Sequence, residues 1–308
     1  MHLRDLEYFA AVAEHKNLRR AAGVLDLSQP ALSKSLRRLE KSMETKLVKR
    51  TPKGVELTDV GSALLVHARR LRLLLDDVGR EVADLKRGRA GHLRIGAAPP
   101  FVEFPVTPAC TALMQASSKV TLSIAMGGNE VLLPALRKGE LDVIVSGIPA
   151  NPYENLVQER LFDDAFAVYA SAGHRLVGRK RVTFADLARE RWALTAPNTL
   201  AYHLLHQLFE EEGLPPPTIA METASILPKI DLVASTDVLG FTARRLVRGA
   251  ATRFRLAELR VKGLPRIRTV GVSYRREAYL SPVARGFIET LTSTARKTAA
   301  GLAQLPIE

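Results

Sequence analysis

Of the 17 prolines in this 308-residue chain, only Pro30 and Pro52 fall within the first 90 residues. Proline lacks a backbone donor and clashes with the preceding helical turn, so helix interiors exclude it. The first 90 residues can therefore be mostly helical, while the remainder must be broken by turns. The length suits two domains. A composition of 46% hydrophobic and 25% charged residues excludes a disordered or collagen-like chain. The longest apolar stretches are strand-sized, short of the roughly 20 residues a membrane-spanning helix needs. Met1 to Asp5 lack a cationic run followed by an apolar one, so a soluble, cytoplasmic protein with no membrane partner is expected. The one cysteine, Cys110, excludes a disulfide framework and a multi-cysteine zinc site.

The helical part starts with Leu3, Leu6, Ala10 and Ala13 on one face, with Phe9 beside them. Asn17 is a suitable N-cap for a second helix through Leu25. After a turn at Asp26-Leu27, Ser28 caps a third helix with Pro30 in its first turn, where a missing N–H matters least. Leu32, Leu36 and Leu39 form its buried side, and Gln29, Ser33 and Arg37 its polar stripe, flanked by Lys34 and Arg38. Leu47–Arg50 and Val55–Leu57 read as short strands about the turn Thr51-Pro52-Lys53-Gly54. Helix, turn, helix and basic hairpin make a winged helix-turn-helix. A major groove about 12 Å wide admits one helix, whose Gln, Ser, Lys or Arg side chains can meet base edges. A wing carrying Lys49, Arg50 and Lys53 suits phosphate or the minor groove. Charge agrees: the chain carries a net +13, and residues 1–58 hold 12 basic against 7 acidic side chains.

Residues 59–90 read as one long helix entered from Thr58. Leu64, Ala68, Leu71, Leu75, Val78, Val82 and Leu85 alternate spacings of four and three, a heptad seam. A small first domain cannot bury all of it, so a partner helix is expected. Gly88 and Gly91 bracket a basic hinge, Arg89-Ala90. From His92, strand and helix patterns alternate: His92–Gly96, Thr107–Gln115, Val120–Met126, Glu130–Lys138 and Asp142–Val145. A second set follows from Ala165 to Thr294. Such alternation predicts a parallel sheet covered on both faces, so the overall class is α/β.

The opening Leu3-Arg4-Asp5-Leu6-Glu7-Tyr8-Phe9, then Ala21-Ala22, Ser28-Gln29-Pro30-Ala31-Leu32-Ser33, Leu39-Glu40, Leu47, Arg50 and Leu57-Thr58-Asp59-Val60-Gly61 follow in order. Gly139-Glu140-Leu141-Asp142 and Leu280-Ser281-Pro282-Val283-Ala284 come later. Together these residues resemble the LysR-type transcriptional regulators. The resemblance implies a DNA-binding domain at 1–58, a dimerising linker helix at 59–90 and an effector-binding domain at 91–308 like a two-lobed periplasmic binding protein. Lobe one would take about 91–163 and 268–308, and lobe two about 164–267, with crossings near Phe162–Phe166 and Arg266–Thr269. The implied DNA-binding residues are Gln29, Pro30, Ser33, Lys34, Arg37, Arg50 and Lys53. Ser235–Ala243 replaces the family's glycine-rich turn and proline, so no ligand contact carries over from that turn.

Ligands of open α/β sheets bind at the carboxyl ends of strands. In lobe one these ends offer Pro99, Pro100, Phe101, Gly128, Asn129 and Ser146, and lobe two adds Asn198, Thr199, Tyr202, Thr223 and Ser225. Asn129 at a helix start suits a small organic or aromatic acid, because helix N-termini favour anions. No arginine stands at these loops, so neutral and apolar effectors stay open. His203 and His206 lack a third ligand, so no metal or other cofactor is expected. The sequence holds no GxSxG, SxxK, HExxH, P-loop or GxGxxG motif. The sequence thus points to a non-enzymatic, sequence-specific regulator that binds double-stranded promoter DNA and a small effector, as a homodimer or homotetramer. RNA polymerase is a further candidate partner. The alternatives are a binding or enzymatic α/β protein with an incidental basic arm, and an architectural protein that binds nucleic acid by charge alone.

Overall fold

The computed structural model describes residues 2–302 apart from 53, 88–90, 198, 224 and 265; the side chains of 50, 84–87, 250–253 and 297–302 also lie outside it. Two compact units are present, Met1–Lys86 and Arg87–Glu308.

The first unit runs α1 (Leu3–His15), α2 (Leu18–Val24), α3 (Gln29–Ser42), β1 (Val48–Thr51), β2 (Gly54–Leu57) and α4 (Asp59–Arg87). Side chains set the starts of its helices. Asn17 Oδ1 accepts the Arg19 and Arg20 N–H groups at 2.9 and 3.0 Å, and Ser28 Oγ accepts Ala31 N–H at 3.3 Å. Thr58 Oγ1 accepts Gly61 N–H at 2.9 Å and donates to the Lys46 carbonyl at 2.8 Å, which ties the start of α4 to the wing. Gly61 has no alternative there, because an added Cβ would collide with the Leu47 carbonyl. The α1 face differs from its sequence reading. Leu6, Phe9 and Val12 are buried, whereas Leu3 is exposed and Ala10 and Ala13 are half-buried. Phe9 and Val12 join Leu32 and Leu39 of α3 in one core.

The seam of α4 divides. Ala68 and the adjacent Leu65 are buried in the first unit's core, with Leu64 and Leu71 packed at its edge. Leu75, Val78 and Val82 remain exposed, and the Leu85 side chain and the hinge 88–90 lie outside the described residues. One seam is therefore two surfaces in sequence, the first serving the unit's own fold.

The second unit continues with β3 (Gly91–Ala97), α5 (Pro99–Phe101), α6 (Thr107–Ala116), β4 (Val120–Met126), α7 (Asn129–Arg137), β5 (Val143–Gly147) and β6 (Leu156–Ser171). Next come α8 (Phe184–Leu187), β7 (Arg191–Leu194), α9 (Leu200–Glu211), β8 (Thr218–Glu222), α10 (Ile226–Ser235) and β9 (Leu239–Ala243). It ends with α11 (Arg244–Phe254), β10 (Leu256–Glu258), β11 (Ile267–Arg275) and α12 (Pro282–Leu302). Among the described residues the sheet order is β4-β3-β5-β11-β6-β9-β7-β8, with β10 also on β6.

The sheet is mixed, not parallel throughout. β3 pairs in parallel with β4 and β5, and β7 with β8 and β9, but β6 and β11 run antiparallel to their neighbours. The long β6 passes through both halves of the sheet, pairing with β11 over its first part and with β9 and β10 over its last. One core gathers Leu93, Ile95, Val143, Val145 and Phe287, and another gathers Val168, Trp192, Leu205 and Phe241. Each half therefore buries its own apolar faces, and β6 joins them.

Candidate functional site

Helix α3 presents two chemically opposite faces. Leu32, Leu36 and Leu39 are buried, whereas Gln29, Pro30, Lys34 and Arg37 are exposed and Ser33 is half-buried beside them. The Ser28 cap and Pro30 fix the first turn, so Gln29, Ser33 and Lys34 stand at the helix's leading end. Arg38, next to this stripe, has a different task. Its Nε donates to Asp5 Oδ2 at 3.0 Å and its Nη2 bonds Oδ1, which also accepts from Ser35 Oγ at 2.5 Å. Asp5 is fully buried, and the Arg38 guanidinium holds its carboxyl below the ordinary carboxylate value. Glu40 is likewise structural: its carboxylate accepts from Lys46 Nζ at 2.8 Å and from Leu47 N–H at 3.1 Å, which shapes the turn into the wing.

The wing is an antiparallel pair with Lys49 opposite Glu56 and Thr51 opposite Gly54. Val55 N–H donates to the Lys16 carbonyl at 2.8 Å. Gly54, at φ 130°, lies so close to that carbonyl that a Cβ would collide with it. The end of α1 therefore holds the wing beside its turn. Lys49 is exposed; Lys53 and the Arg50 side chain lie outside the described residues.

In the second unit, the strand ends of the first half converge. Ala98 N–H donates to the Val145 carbonyl at 2.9 Å, and Asn129 Nδ2 donates to the Gly147 carbonyl at 2.9 Å. One of the two Asn129 Nδ2 N–H groups is thus engaged, and the buried Oδ1 lacks a partner, so Asn129 can offer a ligand an acceptor beside one remaining N–H. The Glu130 carboxylate occupies the space where a side chain on Gly128 would stand, at the start of α7. A negative charge of the chain's own therefore sits where an effector carboxylate was expected. Pro99 and Pro100 are half-buried, while Phe101 and Ser146 are buried. Phe101 packs edge-on to Phe162, with centroids 6.0 Å apart.

In the other half, Thr199 caps α9, accepting from Tyr202 N–H at 3.4 Å and donating to the Ala196 carbonyl at 2.8 Å. The Tyr202 ring stacks on His206 at 4.0 Å. Thr223 Oγ1 accepts Ser225 N–H at 3.1 Å, and Asn198 lies outside the described residues. No hydrogen bond or ion pair joins these residues to the first-half group among the described residues.

What does join the halves is a pair of arginines that the sequence reading missed. Arg268 of β11 pairs with Asp164 of β6, Nη2 to Oδ2 at 3.3 Å, and its Cζ lies 4.2 Å from the Phe166 ring and 4.8 Å from Phe101. Arg245 of α11 lies 4.4 Å over Phe162 and 4.8 Å over Phe104. Burial pulls both guanidinium groups below their ordinary value, with Asp164 opposing it. Beside them is an open cleft of about 230 Å³, lined by Asp163, Asp164, Ala165, Arg244, Arg245, Arg248 and Ile267. The expectation that no arginine faces the ligand space covered only the strand-end loops. The signal for the missed helix was Leu246-Val247 followed by Ala250-Ala251 in a basic stretch.

Comparison with known proteins agrees with this architecture. Residues 3–62 match the bacterial regulatory helix-turn-helix proteins of the lysR family, and residues 86–296 match the LysR substrate binding domain. The chain is 34% identical over 254 residues to the HTH-type transcriptional regulator GbpR of Azospirillum brasilense, covering 80% of this chain and 72% of that one. It is 30% identical over 298 residues to the RuBisCO operon transcriptional regulator of Allochromatium vinosum, covering 96% and 97%. In fold it is similar to full-length CbnR complexed with its target DNA, with a TM-score of 0.59 at 22% identity over 96% of this chain and all of that one. These two family matches, over residues 3–62 and 86–296 of one chain, place it in the LysR family of DNA-binding transcriptional regulators.

Proposed function

We propose that this regulator reads promoter DNA with Gln29, Ser33 and Lys34 at base edges, while Arg37 and the wing residues Lys49, Arg50 and Lys53 hold the backbone. One observation carries this: α3 buries its leucines and exposes a polar and basic stripe whose first turn is fixed by a cap and a proline. The same arrangement favours sequence reading over binding by charge alone, because a stripe of Gln, Ser and Lys supplies directional donors and acceptors. The exposed Leu75, Val78 and Val82 supply the surface for pairing with a second copy, as a dimer or tetramer. The chain acts as a regulator and not as a catalyst, and RNA polymerase is the partner through which promoter binding reaches transcription. The effector acts by linkage: a ligand that binds one arrangement of the two halves better shifts the chain towards it. Among the described residues, no helix is long and apolar enough to cross a membrane.

A gel shift with promoter DNA and its scrambled counterpart tests the reading. Retention of the promoter alone supports it. Equal retention of both favours an architectural protein, and retention of neither removes the DNA-binding role.

A further inference from the structure

The cleft beside β6 and β11 holds more positive charge than its surroundings neutralise. Arg244 donates from Nε to Glu258 at 2.8 Å. Asp163 accepts from Arg160 at 2.6 Å and from the Thr269 hydroxyl at 3.1 Å, and Asp164 accepts from Arg268 at 3.3 Å. Both cleft carboxylates therefore have partners. Beyond its seat on the Phe104 and Phe162 rings, Arg245 has only the field of Asp164, and its buried Nη1 has no hydrogen-bond partner. Arg248 is exposed and has no ion pair among the described residues.

We propose that this cleft takes a compact oxyanion, a carboxylate or phosphate group of the effector, gripped by Arg245 and Arg248. The proposal rests on the reading of the second unit as effector-binding and adds the chemistry and place of the ligand. A guanidinium suits this task because its planar fork meets two oxygens of a carboxylate or phosphate at once. A buried N–H without an acceptor is costly to keep, and an arriving oxyanion satisfies it. At about 230 Å³ the cleft lies below the roughly 300–1,000 Å³ of drug-sized pockets, so it selects a small ligand or the anionic end of a larger one.

The position also explains how binding is felt. Arg245 belongs to α11, but its guanidinium is seated on Phe104 and Phe162, which pack against the core of the other half. An anion that draws Arg245 into the cleft competes with that aromatic seat. Ligand binding and the joint between the halves are then linked.

Isothermal titration of the full chain with inorganic phosphate, and separately with succinate, at fixed ionic strength in chloride tests the proposal. The expected result is saturable binding of one equivalent of at least one probe. Which probe binds distinguishes phosphate from carboxylate chemistry. Arg245→Gln should weaken it at least tenfold and Arg248→Gln several-fold, while Lys119→Gln, an exposed lysine away from the cleft, leaves it unchanged. Arg248 is exposed, so its variant keeps the test decisive if Arg245→Gln fails to fold. Wild-type chain that binds neither probe, or an Arg248→Gln variant that binds as wild type, overturns the proposal. Gel shifts on the same preparations separate the two readings. Intact promoter binding without anion binding removes only the cleft ligand. Anion binding without promoter binding upholds the cleft and removes the regulator reading.

Discussion

Arg38 and Asp5, 33 positions apart, form one bridge that fixes α3 against α1, with Arg38 Nε 3.0 Å from Asp5 Oδ2. The bridge takes Arg38 out of the polar stripe of α3. Removing the arginine leaves a buried carboxylate held only by Ser35. Arg38→Ala should therefore destabilise the first unit, measured as a lower urea midpoint at pH 7. Asp5 has a folded value below its ordinary 3.8. Its contribution is therefore complete above the unfolded value and is lost as pH falls through the folded one. The stability gap between wild type and variant should close below pH 3.8; a gap constant down to pH 2 contradicts this role for the bridge.

Lys229 gives a dependence at the alkaline end. It is fully buried in α10, its Nζ donates to the Phe241 carbonyl at 3.4 Å, and burial lowers its value from 10.5 to about 8. Between those values the unfolded chain holds a proton that the folded chain has released, so stability rises with pH across this window. Lys229→Met should be more stable than wild type at pH 7 by about 2–4 kcal/mol. The advantage should shrink from about pH 8 upward and vanish near pH 10.5. Thermal unfolding of both proteins across this range checks the sign.

The two parts of the α4 seam should respond differently to charge. Leu75→Glu with Val82→Glu places carboxylates on an exposed surface, and burying them against a partner helix is unfavourable. Light scattering should show a smaller assembly while circular dichroism keeps the native helix content. Leu65→Glu, in the core, should instead unfold the first unit. Parent mass in the double variant would show that assembly runs through another surface.

Local signals were legible in the sequence, and long-range ones were not. Asn17, Ser28 and Thr58 cap the helices expected of them, because a cap involves neighbours two to three residues away. The Gly54–Lys16 contact and the Arg38–Asp5 bridge depend on pairings across the fold, which no periodicity reports. Strand–helix alternation gave the class, but it could not show that β6 and β11 run against their neighbours. The strand-end rule pointed to the loops carrying Asn129 and Ser146, yet overlooked α11 and with it Arg245. Heptad spacing marked one seam although the structure uses its ends differently, because spacing records a stripe and not what covers it.

The central claim, that α3 reads sequence while the wing holds backbone, is tested most directly by titrating Gln29→Ala, Lys34→Ala and Lys53→Ala on two duplexes at several salt concentrations. One duplex is selected from a random pool by the wild-type chain, and the other is random. Gln29→Ala and Lys34→Ala should each lose about 1–3 kcal/mol on the selected duplex and much less on the random one. Lys53→Ala should weaken both duplexes alike and lower the slope of log affinity against log salt by about one. A Gln29 variant that loses both duplexes equally, or a Lys53 variant that loses only the selected one, contradicts the assignment.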